Sequence, residues 1–102
     1  MYFEESEPCY VISVAARLLG VHAQTLRYYE RVGLVEPSRS EGNRRLYSTE
    51  DIELLRRIKN LIDDLGVNLA GVDVILRMSK RMIEMEQQIH ELEQRIAQLT
   101  KK

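Results

Sequence analysis

The chain has 102 residues, 44% of them hydrophobic and 30% charged, which is enough for one small domain with an appended element and a modest core. Its formal net charge of -1 excludes a uniformly basic nucleic-acid binder, and its single cysteine, Cys9, excludes an internal disulfide and a multi-cysteine metal site. No apolar run approaches the ~20 residues of a membrane span, and a start containing Glu4, Glu5 and Glu7 is acidic where a signal peptide is basic, so a cytoplasmic protein is expected.

Residues 1–10 read as a poorly ordered leader. Ser13 is placed to cap a first helix that carries Val14, Leu18 and Leu19 at helical spacing and stops at Gly20. Val21 begins a tight turn, and a second helix is predicted from about 23 to 32, closed by Gly33. Two short helices joined by a glycine-containing turn form a helix-turn-helix. His22 leads into the second helix and has no partner at metal-ligand spacing. Residues 35–47 read as two short extended pieces around the turn Glu41-Gly42-Asn43.

Ser48, followed by Asp51, predicts a capped third helix. Its apolar face comprises Ile52, Leu55, Ile58, Leu61, Ile62 and Leu65, and Gly66 ends it. Glu53, Arg56, Arg57, Lys59 and Asp63 form a solvated side. Asn68 is placed to cap a short fourth helix through Leu76. Beyond it, Ile75, Met78, Met82, Met85, Ile89, Leu92, Ile96 and Leu99 alternate spacings of three and four without a miss. That heptad seam predicts a coiled-coil dimerisation helix over 78–102, because a lone helix would leave the stripe in water.

Charge is distributed unevenly along the chain. Residues 17–45 hold six arginines and three glutamates, so one face can be positive on a near-neutral protein. On the second helix Ala23, Gln24 and Arg27 fall where a recognition helix meets base edges: Gln pairs with adenine, Arg with guanine, and Ala meets a thymine methyl. Arg27, Tyr28 and Arg31 occupy adjoining faces, so some of them hold phosphate, whereas Tyr29, three after Leu26, belongs to the core. Arg39, Arg44, Arg45 and Tyr47, with Asn43 at the turn, suit a wing beside that helix. No nucleophile–base pair, phosphate loop or carboxylate dyad suggests an enzyme, and no cofactor or metal is called for.

The run Thr25-Leu26-Arg27-Tyr28-Tyr29-Glu30-Arg31-Val32-Gly33-Leu34-Val35-Glu36-Pro37 closely resembles the signature of the MerR family of bacterial winged-helix transcription regulators. The likeness extends over residues 10–78. It implies a mainly α fold, with a winged helix-turn-helix DNA-binding domain over 11–77 and a C-terminal dimerisation helix. It further implies a homodimer on a pseudo-palindromic promoter, with DNA contacts at Arg27, Tyr28, the wing arginines and Tyr47. Ile12-Ser13-Val14-Ala15-Ala16, His22-Ala23-Gln24-Thr25-Leu26-Arg27 and Gly66-Val67-Asn68-Leu69-Ala70-Gly71-Val72 look most like the heat-shock repressor branch, HspR. That likeness implies repression of chaperone genes with a DnaK-type chaperone as co-repressor.

Ser40-Glu41-Gly42-Asn43-Arg44-Arg45-Leu46-Tyr47-Ser48 is equally similar to the nitrogen regulators GlnR and TnrA, and a coiled-coil adaptor that binds only proteins is the alternative from another class. The wing is one residue longer than the Gly-Tyr-Arg-x-Tyr of many members, which leaves open which arginine takes the phosphate. No cysteine follows Cys9 and no ligand domain follows the coil, so control by a protein partner or by temperature is expected. With Ile75, Met82, Ile89 and Ile96 at a positions, Glu86 and Glu93 fall at e, and Arg81 and Arg95 at g, a pattern suited to a parallel coil. The resemblance implies an antiparallel one, and surface ion pairs of ~0–1 kcal/mol are too weak to override it.

Overall fold

The computed structural model describes residues 7–101. In chain order it comprises β1 (Pro8–Val11), α1 (Ile12–Leu19), α2 (Ala23–Arg31), β2 (Ser38–Arg39), β3 (Arg45–Ser48), α3 (Thr49–Lys59), a π-helical turn (Asn60–Asp64) and α4 (Leu69–Thr100). Two compact units result, one ending at Gly66 and the other beginning at Val67.

The first correction concerns the leader. Residues 8–11 form a strand, while residues 1–6 lie outside the described residues. β1 pairs antiparallel with β3, setting Tyr10 opposite Tyr47 and Val11 opposite Leu46, with a register shift between Pro8 and Tyr10. The sheet order is β1-β3-β2, so β3 is central and Pro8 opens an edge strand, where its missing N–H costs no ladder bond. The sequence suggested only the β2–β3 hairpin, because a strand of four residues whose partner lies some forty residues away leaves no local signature.

α1 starts one residue before Ser13, with Val11 at the cap position and no side-chain cap bond. Its inward face is also not the expected one. Ala15, Ala16 and Leu19 are buried, whereas Val14 and Leu18 are exposed. Both helices of the helix-turn-helix close in the same way. Gly20 (φ 69°) and Gly33 (φ 85°) adopt left-handed backbone. The N–H of Val21 donates to Ala16 O at 3.0 Å, and that of Leu34 to Tyr29 O at 2.9 Å. This six-to-one bond, together with that from the glycine N–H to the carbonyl three residues back, satisfies carbonyls the helix end would otherwise orphan.

The hairpin turn runs from Ser40 to Arg44. Asn43 N–H donates to Ser40 O (2.8 Å), Ser40 N–H to Arg44 O (2.9 Å), and Arg44 N–H to Ser40 Oγ (3.2 Å). The left-handed residue is Asn43 (φ 60°) and not Gly42, the arrangement of a three-residue loop that ends in a left-handed residue.

The capping box at α3 is formed in full: Asp51 N–H donates to Ser48 Oγ (3.0 Å) and Ser48 N–H to Asp51 Oδ2 (2.9 Å). α3 buries Ile52, Leu55 and Ile58 at intervals of three. The π-helical turn then inserts an extra residue into the helical period, which rotates the downstream side chains by ~100°. Leu61 and Ile62 are accordingly half-buried, and Leu65 is exposed, outside the continuous face the sequence suggested. The core of this unit is led by the fully buried side chains Leu26, Tyr47, Leu55 and Ile58.

In the second unit Asn68 caps α4, accepting from Gly71 N–H at 2.8 Å. A Cβ at position 71 would meet Val67 Cγ1 at 2.7 Å, so glycine lets the cap close. The expected break between a short fourth helix and a coiled coil near 77 is absent. α4 is one helix of 32 residues, ~48 Å long at ~1.5 Å per residue. No described helix is long and apolar enough to cross a membrane.

Replacing Ser48 with alanine removes the hydroxyl that accepts from Asp51 N–H, while the backbone N–H of residue 48 can still donate to Asp51 Oδ2. The expected cost is ~1 kcal/mol, read as a lower urea midpoint at unchanged slope, while Ser48→Thr retains most of the stability.

Candidate nucleic-acid interface

α2 divides its side chains among three directions. Leu26 and Tyr29 point into the core and are buried, as expected for Tyr29. Gln24, Tyr28 and Arg31 are exposed, while Ala23 and Arg27 are half-buried. Arg27 Nη1 donates to Gln24 Oε1 at 3.1 Å, one helical turn away, which presents an amide and a guanidinium side by side. The Arg31 guanidinium lies 5.7 Å from the centroid of the Tyr28 ring, a distance at which the ring quadrupole attracts the cation. Tyr28 also leans on Tyr29, with centroids 6.2 Å apart and planes at 46°.

Glu30 takes the third direction, toward the hairpin. Its Oε2 accepts from Arg39 Nη2 at 3.0 Å and its Oε1 from Arg45 Nε at 2.5 Å. One carboxylate of α2 thus holds β2 and β3 together from the side, reaching residues 9 and 15 positions away. The three side chains are 22–39% exposed, so each bond is a screened, charge-assisted contact and not a buried ion pair. Arg27, Glu30, Arg31 and Arg45 line one open groove of about 380 Å³.

The expected wing arginines therefore separate. Arg39 and Arg45 are engaged by Glu30, whereas the exposed Arg44 side chain has no ion-pair or hydrogen-bond partner among the described residues. Asn43 is exposed at the tip. Tyr47 requires a correction. Its side chain is fully buried, and its hydroxyl has no hydrogen-bond partner among the described residues, so it presents nothing to a phosphate. It is the third residue of the central strand, opposite Tyr10 of β1.

Burial is the main cause that raises the pKa of the Tyr47 and Tyr29 hydroxyls above their usual value, with Glu30 reinforcing it at Tyr47 and Asp63 at Tyr29. Both stay neutral in the fold at a pH where the unfolded chain already ionises. Their contribution to stability is full below ~pH 10 and is lost as pH rises through the raised folded values.

Sequence reasoning missed Glu30 as part of this site. The only signal was an acid inside an otherwise basic, aromatic run, and its two partners are too distant for any helical or strand spacing to flag them. The eight seam residues all lie on α4, Ile75 included, although the sequence suggested a separate short helix through Leu76. Ile75 is half-buried, and the seven from Met78 to Leu99 are 47–80% exposed. Among the described residues no group of three or more His, Cys, Asp or Glu could hold a metal ion.

The model of the family described as MerR HTH family regulatory protein matches residues 10–79. The chain belongs to the MerR family. This MerR-family chain is 54% identical over 95 residues to a Streptomyces coelicolor protein that carries the name heat shock protein HspR, a match covering 93% of the chain and 58% of that protein. It is 40% identical over 79 residues to the regulator GlnR of Bacillus anthracis, covering 78% and 60%. The chain thus spans about three fifths of the length of these relatives.

Among solved structures, HiNmlR, a MerR-family regulator lacking the sensor domain and bound to promoter DNA, superposes with a TM-score of 0.64 at 25% identity, covering 88% of this chain and 74% of the other. A MerR-family regulator from Bacillus cereus gives 0.60 at 29%, covering 88% and 73%. MerR-family members are DNA-binding transcription regulators and not enzymes, and this family's fold is the winged helix-turn-helix that the chain adopts.

Because Tyr47 is a core residue, Tyr47→Phe is expected to keep DNA affinity and to hold or raise stability by up to ~1 kcal/mol. Tyr47→Ala costs ~3–5 kcal/mol. Urea denaturation and duplex titration of both variants check this.

Proposed function

We propose that the chain acts in the cytoplasm as a homodimeric, sequence-specific transcriptional repressor of heat-shock and chaperone genes, bound to an inverted-repeat operator. The supporting observation is a groove where α2 meets the hairpin, bordered by Arg27, Arg31 and Arg45 with Glu30 among them. Ala23 and Gln24, with Arg27 beside them, read base edges, because they occupy the outer face of the recognition helix near its start. Tyr28, Arg31 and the free Arg44 hold phosphates on either side, and Asn43 shapes the tip that carries Arg44. HiNmlR, which shares the fold, is bound to promoter DNA.

The exposed seam of α4 supplies the second copy. Burying an apolar side chain contributes ~1.5–3 kcal/mol, so eight from each chain outweigh an association cost of ~4–15 kcal/mol. Two identical reading heads then select a repeat with two-fold symmetry. The heat-shock assignment rests on the 54% identity to the protein named HspR. A DnaK-type chaperone as co-repressor belongs to the same reading. A nitrogen-metabolism regulator is the second reading, favoured by the 40% identity to GlnR.

Fluorescence anisotropy against inverted-repeat and random duplexes at two salt concentrations tests this proposal. Preference for the repeat supports it. Binding that ignores sequence overturns it, and binding absent even at low salt leaves a protein-binding adaptor instead. Arg27→Ala is expected to weaken repeat binding by ~1–3 kcal/mol while sedimentation still reports a dimer. Ile89→Asp is expected to give monomers by sedimentation and to abolish high-affinity binding to the full repeat. A footprint on chaperone promoters that strengthens with DnaK separates the heat-shock reading from the nitrogen one.

A further inference from the structure

The two arginines that share Glu30 sit where the wing meets the recognition helix, and the carboxylate faces the same groove as Arg27 and Arg31. Sequence-independent affinity for DNA grows with the number of phosphates that cationic side chains neutralise, each adding about -0.9 to the slope of log K against log salt. A guanidinium already bonded to a carboxylate must give up that bond before it meets a phosphate. The carboxylate also repels phosphate brought close to it. Two positive charges and one negative therefore occupy a position where two unpaired guanidinium groups would attract any duplex.

On the DNA-binding reading, we propose that Glu30 is a specificity-determining and positioning residue. It withholds Arg39 and Arg45 from the DNA backbone and fixes the hairpin against α2, which confines the phosphate grip to Arg44 and the helix arginines. The generic part of the affinity stays low, and base contacts decide where the protein rests. The geometry supports this division. Glu30 uses one oxygen for each strand of the hairpin, so releasing the carboxylate frees both arginines together and lets the turn that carries Arg44 shift.

The test uses the full chain, a random duplex, and the duplex that the wild-type protein enriches from a randomised pool. Glu30→Gln is expected to bind the random duplex at least ~3-fold more tightly, with a salt slope steeper by ~0.9–1.8. The enriched duplex should gain less, so the ratio of the two affinities falls. A ratio and slope equal to wild type, or weaker random binding by a folded variant, overturn the inference.

If Glu30→Gln fails to fold by circular dichroism, two variants that keep Glu30 decide the matter. Arg44→Gln should flatten the slope by ~0.9, and Arg39→Gln by less than half as much. Equal losses overturn the inference. Failure of the wild type to bind any duplex removes the DNA-binding reading and this inference with it. Normal wild-type binding with an unaltered Glu30→Gln removes this inference alone.

Discussion

A single carboxylate sets how the hairpin stands against α2. Two short strands with a three-residue turn would be a marginal structure alone. Here the hairpin is held on one side by β1 and tied to α2 by Glu30 on another. Each bond from Glu30 is worth little individually, since all three side chains are partly solvated. Together they fix an angle, because one carboxylate can serve both arginines only when the strands stand at one distance from the helix. The backbone beneath supports the same angle: Gly33 closes α2 and directs Leu34 and Val35 into the core, and the chain then leaves for β2.

This constraint explains why so many charges sit beside turns on a near-neutral chain. Arginines counted along the sequence suggest a uniform grip on phosphate. In the structure they take different tasks: Arg27 beside Gln24, Arg31 over Tyr28, Arg39 and Arg45 on Glu30, and Arg44 at the tip. What the sequence presented as one cluster divides into arginines held by a neighbour, two of them by the same carboxylate, and Arg44, which has no ion-pair or hydrogen-bond partner among the described residues.

The features legible in the sequence are those whose causes lie within a few residues. α2 and its closing glycine, the Ser48–Asp51 box, the Asn68 cap and the seam of α4 all arise from spacings of three and four or from one turn of backbone. The family signature is equally local, and it named the fold. The features that escaped depend on pairing across the chain. β1 finds β3 only after two helices and β2 intervene. The burial of Tyr47 depends on which sheet face the helices α1 and α3 cover, and a strand of four residues does not reveal that. The face of α1 was misjudged because two alanines, small enough for close approach, are buried in place of Val14 and Leu18. Leu65 left its expected face because a π-helical turn breaks the period, and no residue between 60 and 64 announces it.

The three directions of α2 have a consequence for how such a surface can diverge. Residues that hold the core (Leu26, Tyr29), the residue that ties the hairpin (Glu30) and the residues on the outer face (Ala23, Gln24) are not joined to one another by any side-chain hydrogen bond or ion pair among the described residues. Substitutions at the exposed position 24 can therefore accumulate without breaking the tie between Glu30 and the hairpin, and descendants of one ancestor can diverge there on an unaltered frame. The helix behaves as a replaceable key bit on a fixed shank, with Gly33 and Glu30 keeping it from turning in the lock.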